Sequence, residues 1–492
     1  LLSQTYSQSL QSQKLQTTIA NSENNTHLKG LVGSALSLVL TEAFKGADKP
    51  FLLIFNDKEE AAYILNDLEQ LLDEKNVLFY PGSYRRPYQI DETDNANVLL
   101  RSEVLNRINS RKKPAIIVSY TDAIFEKVVT RKELEKNTLK LSVNEAVSID
   151  FINETLFEYN FKRVDFVTEP GEFSVRGGIV DVFSFSNDHP YRIEFFGNEV
   201  DSIRSFDVET QLSVEKLKKI SIMPNVENKM LQESRESFLN YINEKTVLVI
   251  QNTELLGKNL NKLFDKATEA FGKLSSDIKH AQPEELFLNE AQFLKRALDF
   301  SVIELNSPIF KSEKTFTFQI QPQPSFNKQF DLLLNNLGEN HFNGITNFLF
   351  CSNENQANRF HDIFEDLDEE NHESIRKQYK TLVFPLYQGF VDLENQIACY
   401  TDHQIFERYH KFSIKNGYSK KQTITLKELN SLTVGDYVTH IDHGIGKFGG
   451  LQKIEVEGKK QEAIKLVYAD NDIVYVSIHS LHKISKYNGK DG

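Results

Sequence analysis

The stretch Glu169–Gln211 reads EPGEFSVRGGIVDVFSFSNDHPYRIEFFGNEVDSIRSFDVETQ. Apolar and polar residues alternate in FSVRGGIVDVF and again in YRIEFFGNEVDSIRSFD, the period-two pattern of strands with one buried face. Gly177 and Gly178 interrupt the first run, and Gly197 with Asn198 the second, supplying the positive-φ positions that tight turns demand. The same texture runs from Glu145 to Pro224, so the spacing predicts a small β-rich domain inserted there. Arg192 and Phe196 share one side of a strand, and Arg176 stands before the two glycines. Arginine beside an aromatic on a β face is a common interface composition, because the guanidinium forks carboxylates and the ring adds buried area. An ordinary solvated face over a core of Ile193 and Phe195 fits the same residues.

Ahead of this domain, FLLIF (Phe51–Phe55), NVLFY (Asn76–Tyr80) and AIIVSY (Ala115–Tyr120) are continuous apolar runs separated by helix-length stretches such as Glu59–Leu72. Such runs predict parallel strands covered on both faces, giving an α/β domain over residues 1–144. Beyond the insertion, residues 225–329 return to helices, with TVLVIQN (Thr246–Asn252) and TFTFQIQP (Thr315–Pro322) as strands. Residues 330–402 repeat the α/β pattern on a smaller scale, and the polar, basic residues 403–430 read as a linker. Residues 431–492 hold DYVTHID, FGGLQKIEVEG, QEAIKLVYA and DIVYVSI, a meander expected to close into a small barrel of the Tudor or SH3 kind.

At 492 residues the chain has room for several hydrophobic cores. Its 57 basic and 70 acidic side chains leave a net charge of −13, which argues against a general nucleic-acid coat protein. A mean hydropathy of −0.42 fits a soluble globular chain, and no apolar run approaches the ~18 residues a bilayer requires. Cys351 and Cys399 stand alone, so neither a disulfide framework nor a thiolate zinc site is indicated. The chain begins at Leu1, with methionine only at Met223 and Met230, and reads as part of a longer protein.

Candidate chemistry is sparse. A phosphate loop needs G-x-x-x-x-G-K-[ST], because backbone amides cradle phosphate, the lysine reaches it and the hydroxyl holds magnesium. GLVGSALS, Gly30 to Ser37, keeps the first glycine and the last hydroxyl, but Ala35 and Leu36 replace the second glycine and the lysine. Gly30, Gly33, Ser34 and Ser37 therefore mark either a plain turn into a helix or a degenerate nucleotide loop. His440 with His443 and His479 with His482 share an H-x-x-H spacing without further ligands, so no metal site is expected. Arg85, Arg86 and Arg111–Lys113 read as surface charge. In the last module, alternation sets Leu451, Lys453 and Glu455 on one face and Gln452, Ile454 and Val456 on the other. An exposed Ile454 would be a contact residue; core packing is the alternative.

The block G-E-F-x-x-R-G-x-x-x-D-x-F followed by Y-R-x-x-F-F-x-x-E-x-x-S-x-R-x-F-D, within Glu169–Gln211, resembles the signature of transcription-repair coupling factors and is similar to the UvrA-binding domain of UvrB. VGDYVTHIDHGIGKFGGLQ and KLVYADNDIVYVSIHSLHKISKY resemble the CarD-type RNA polymerase interaction domain that follows in that family. The resemblance implies a multidomain α/β protein: UvrB-like domain 1A with a degenerate P-loop (1–144), UvrA-binding domain 2 (145–224), domain 1B (225–329), a small α/β domain 3 (330–402), the linker (403–430) and the CarD-like domain (431–492).

It further implies UvrA and the RNA polymerase β subunit as partners in the bacterial cytoplasm. Arg176, Arg192 and Phe196 fall on family positions that contact UvrA, while Ile454, with Leu451 and Lys453 beside it, falls on the polymerase-facing strand. No catalysis and no cofactor are expected of these residues; ATP, magnesium and most DNA contacts would belong to a translocase motor beyond Gly492. The rivals are a UvrB-like DNA helicase, disfavoured by Ala35, Leu36 and the short stretch FYPGSYRRPYQIDETDNANVLLRSEVL where UvrB carries its DNA-gripping insertion, and a CarD-like transcription regulator.

Overall fold

The computed structural model describes residues 2–486 apart from 22–24, 74–75, 84–87, 89–94, 111–112, 186, 188, 209, 226–234, 275–280, 307, 313, 368–371, 409–431, 441–442, 457–458, 469–471 and 478–483. Arg85, Arg86, Arg111, His479, His482 and nearly all of the expected linker lie outside the described residues. The chain forms two compact units, Leu1–Glu133 with Lys229–Ile414, and Leu134–Asn228 with Lys415–Gly492.

The first unit holds a seven-stranded sheet in the order Lys314–Thr317, Thr26–Lys29, Ser301–Glu304, Val247–Ile250, Phe51–Phe55, Ile116–Tyr120, Val77–Tyr80. Every adjacent pair is parallel, as the continuous apolar runs require. Strands from before and after the insertion share this sheet: Val247–Ile250 pairs directly with Phe51–Phe55, and all residues of both are buried. Among the helices between strands, Lys58–Leu71 starts where the Asp57 side chain accepts from the Glu59 and Glu60 amides, satisfying donors that the first helical turn leaves open.

A second sheet in this unit has five strands in the order Ile320–Pro322, Phe390–Asp392, Ile397–Thr401, Thr346–Phe350, Tyr379–Leu382, over a core that includes Leu333, Leu337, Phe360 and Tyr400. TFTFQIQP, which reads as one strand, is divided between the sheets: Lys314–Thr317 pairs with Thr26–Lys29, and Ile320–Pro322 with Phe390–Asp392. Period-two alternation continues through the crossing at Phe318, so the pattern alone carries no sign of it.

In the second unit the inserted domain is a six-stranded sheet: β1 (Lys162–Arg163), β2 (Glu172–Arg176), β3 (Ile179–Val182), β4 (Tyr191–Phe196), β5 (Glu199–Phe206) and β6 (Ser213–Leu217), in sequential spatial order. Apart from the parallel β1–β2 pair the ladder is antiparallel. One face is apolar and closed, with Phe173, Val180, Val182, Ile193 and Ile203 buried. The β2–β3 and β4–β5 turns lie at the same end of the sheet and pass through Gly177 and Gly197, whose φ of 59° and 63° excludes most side chains.

The last module is an antiparallel meander of β7 (Tyr437–His440), β8 (Gly444–Val456), β9 (Lys459–Val467), β10 (Ile473–Ser477) and β11 (Ile484–Lys486), ordered β10-β9-β8-β7-β11. Its core is Val438, Phe448, Ile464, Leu466, Val476 and Ile484, and a bulge breaks β8 between Phe448 and Leu451. Among the described residues β10 and β11 have one paired neighbour each, so the expected closed barrel of the Tudor or SH3 kind is not formed by these pairings. Closure depends on shear and strand tilt, which local alternation does not encode.

Candidate functional site

The polar face of the inserted sheet is built by strand register. Asp181 on β3 stands opposite Ser174 of β2 and Arg192 of β4, and Arg192 in turn stands opposite Arg204 of β5. Arg192 grips the Asp181 carboxylate with two bonds, Nε to Oδ1 at 2.7 Å and Nη2 to Oδ2 at 2.9 Å, and its guanidinium lies 4.3 Å from the Phe206 ring centre. It also donates to the Gln211 backbone carbonyl at 3.4 Å and to Gln211 Oε1 at 3.2 Å. Arg176 donates to Asp181 Oδ2 from the other side while lying 5.0 Å from the Phe166 ring centre. The Asp181 bonds, against the opposing effect of burial, hold the Arg192 guanidinium above its ordinary pKa.

Exposure separates the three residues singled out from the sequence. The Phe196 ring is 85% exposed, the Arg176 side chain is 40% exposed and the Arg192 side chain only 16%. Phe196 and Arg176 are thus open to a partner, whereas Arg192 is largely consumed by its own chain. Sequence reading missed Asp181, Gln211 and Phe166. Asp181 lies in the quoted motif, and its pairing with Arg192 follows once the two hairpin registers are known; Gln211 arrives from a loop beyond β5, with φ of 59°, and carries no local signal.

At the degenerate nucleotide loop, Gly30 and Gly33 adopt φ of 77° and 58° and lead into the helix Ala35–Ala47. The space before that helix is filled by the protein itself. The Ser34 amide donates to the Gln388 carbonyl at 3.0 Å, and the Gln388 amide donates to Ser34 Oγ at 3.0 Å. Ser37, where a phosphate loop would hold magnesium, donates to Asp67 Oδ2 at 2.9 Å, and the Tyr387 amide donates to Asp67 Oδ1 at 2.8 Å. Tyr387 stacks on Tyr63 with ring centres 3.7 Å apart. Burial raises the Asp67 carboxyl to about 6, against the pull of these hydrogen bonds. A Cβ on Gly33 would stand 2.9 Å from the Gly389 carbonyl oxygen. The Ser34 amide and hydroxyl, which could face a phosphate, are partnered by Gln388 of the strap 387–389, and the Ser37 hydroxyl by Asp67.

In the last module Leu451 is exposed, as are Tyr475, whose hydroxyl donates to Gln452 Oε1 at 3.2 Å, and Tyr437, with Lys447 over its ring. The Ile454 backbone pairs with Gln461, but the side chains of Lys453 and Ile454 lie outside the described residues. His440 and His443 have ring centres 4.7 Å apart; among the described residues no group of three or more His, Cys, Asp or Glu is gathered for a metal ion. Cys351 and Cys399 are both buried and free, and burial pushes the Cys351 thiol up to about 12. No described helix is long and apolar enough to cross a membrane.

Residues 139–227 match the UvrB interaction domain family and residues 432–488 the CarD-like/TRCF RID domain family, which defines the chain as a multidomain protein carrying both modules in that order. Similarity covers nearly all of it. A transcription-repair-coupling factor of Bacillus subtilis (strain 168) is 25% identical over 94% of the chain, and those of Staphylococcus aureus (strain NCTC 8325 / PS 47) and Staphylococcus epidermidis (strain ATCC 12228 / FDA PCI 1200) are 24% and 23% identical over the same share. Along nearly its whole length the chain is thus similar to transcription-repair-coupling factors, and it spans about 45% of the length of the relatives it matches.

Proposed function

We propose that this chain is the recruitment part of a bacterial coupling factor, holding stalled RNA polymerase through its CarD-like module and bringing in UvrA through the inserted sheet. The observation that carries the reading is the polar face of that sheet, where the exposed Phe196 ring and the half-exposed Arg176 stand beside a closed apolar core. A large aromatic left in water on a sheet that also presents an oriented guanidinium has the composition of an interface. On the other module we assign polymerase contact to β8, around Leu451, Lys453 and Ile454, with the β subunit as partner and strand-edge pairing as the mode. Closure of that module into a Tudor-like barrel belongs to the same proposal.

We assign no nucleotide chemistry to these residues, since Ser34 and Asp67 are engaged with the strap 387–389 and Ser37 with Asp67; ATP and magnesium would serve the motor of the whole protein, acting in the cytoplasm. The UvrB-like helicase reading has no support from this arrangement. Titrating the chain with purified UvrA and, separately, with RNA polymerase tests the proposal. Saturable binding to both is expected, and binding to neither at micromolar concentrations would overturn it.

A further inference from the structure

Asp181 is a charged member of the arginine face that no partner can touch: its side chain is 1% exposed, yet it sits on the polar side of the sheet. Two arginines cover it. A carboxylate removed from water is costly unless charge and hydrogen bonds compensate it, and here Arg192 supplies a two-point grip while Arg176 closes the other side. The braces are unequal. Arg192 is further fixed by Gln211 and by the ring of Phe206, whereas Arg176 rests on the half-exposed Phe166 and keeps much of its guanidinium in solvent.

We propose that Asp181 is the positioning residue of this interface, with Arg192 as its internal brace and Arg176 as the group it presents. One carboxylate shared by two guanidiniums leaves this trio with one positive charge in excess on the polar face of the sheet. The fitting partner group is a carboxylate, which takes the free edge of Arg176. Fixing Arg176 before contact spares the entropy of ordering a long side chain during binding. This deepens the recruitment reading and names UvrA as the partner only through it.

The test combines binding with arginine side-chain NMR on the full chain. Asp181→Asn keeps the size of the side chain but removes the charge and one acceptor. It is expected to weaken UvrA binding by roughly ten-fold, and in an Arg176→Ala background by less than about two-fold, because Asp181 acts through Arg176. Independent, fully multiplying losses, or wild-type affinity in Asp181→Asn, would overturn the proposal. In the wild-type chain alone, the Arg176 and Arg192 guanidinium signals are expected to show slow rotation about the Nε–Cζ bond; free rotation of both would overturn it without any variant having to fold. A wild type that does not bind UvrA refutes the recruitment reading, and the NMR result then decides the role of Asp181 by itself.

Discussion

At the scale of the residue, Phe196 and Arg192 make opposite demands on an experiment. Phe196 is 85% exposed and supports nothing beneath it, so Phe196→Ala is expected to leave the unfolding free energy within about 0.5 kcal/mol of wild type while removing UvrA binding. Arg192→Ala strips the two-point partner from buried Asp181, and is expected to cost about 2 kcal/mol of stability, visible as a lower urea midpoint. A binding loss in Arg192→Ala is therefore read only against its folded fraction. The sequence motif placed both residues on one face, and strand alternation justified it. It did not show that one of them is consumed by the fold, because that depends on Asp181 from the next strand and on Gln211 from the connection between β5 and β6.

At the scale of the element, the turn into the helix at Ser34 is occupied by the chain's own residues 387–389. Restoring the missing residues by Ala35→Gly with Leu36→Lys is expected to leave the chain without measurable affinity for a fluorescent ATP analogue, since the Gln388 carbonyl still takes the Ser34 amide and Asp67 still takes Ser37. Saturable nucleotide binding by that variant would show that the strap yields. Gly33→Ala, with φ of 58° and a carbonyl oxygen 2.9 Å from the new Cβ, should cost about 1–2 kcal/mol.

Acidity acts on the same contact. Burial raises the Asp67 carboxyl from 3.8 to about 6, so the folded state binds its proton more tightly than the unfolded chain does. The stabilisation is complete below about pH 4 and lost as pH rises through about 6, amounting to roughly 3 kcal/mol at most. Denaturant titrations at pH 5 and 7.5 should show about half of this difference, roughly 1.4 kcal/mol, as the part of the pH dependence that Asp67→Asn removes. A turn into a helix was legible in GLVGSALS; what packs against it was not, because Tyr387 and Gln388 lie hundreds of residues away and carry no local sign of docking. The same limit explains TFTFQIQP, whose even alternation spans two sheets.

At the scale of the whole molecule, the account is one of separable modules. The parallel sheet was readable because strands buried on both faces are continuous apolar runs, and the meander because its turns are marked by glycine and polar residues. No local pattern indicates that Val247–Ile250 joins Phe51–Phe55 across the insertion. If recruitment is divided between modules, Arg176→Ala should weaken UvrA binding and leave polymerase binding unchanged, and Ile454→Asp should do the reverse. Loss of both interactions in either variant would indicate a shared surface. The measurement that bears most directly on the central claim is a titration of the chain with purified UvrA, wild type beside Phe196→Ala at equal folded content. Saturable binding by wild type and none by Phe196→Ala is the expected result; equal binding by the two, or none by wild type, would contradict the assignment of this face.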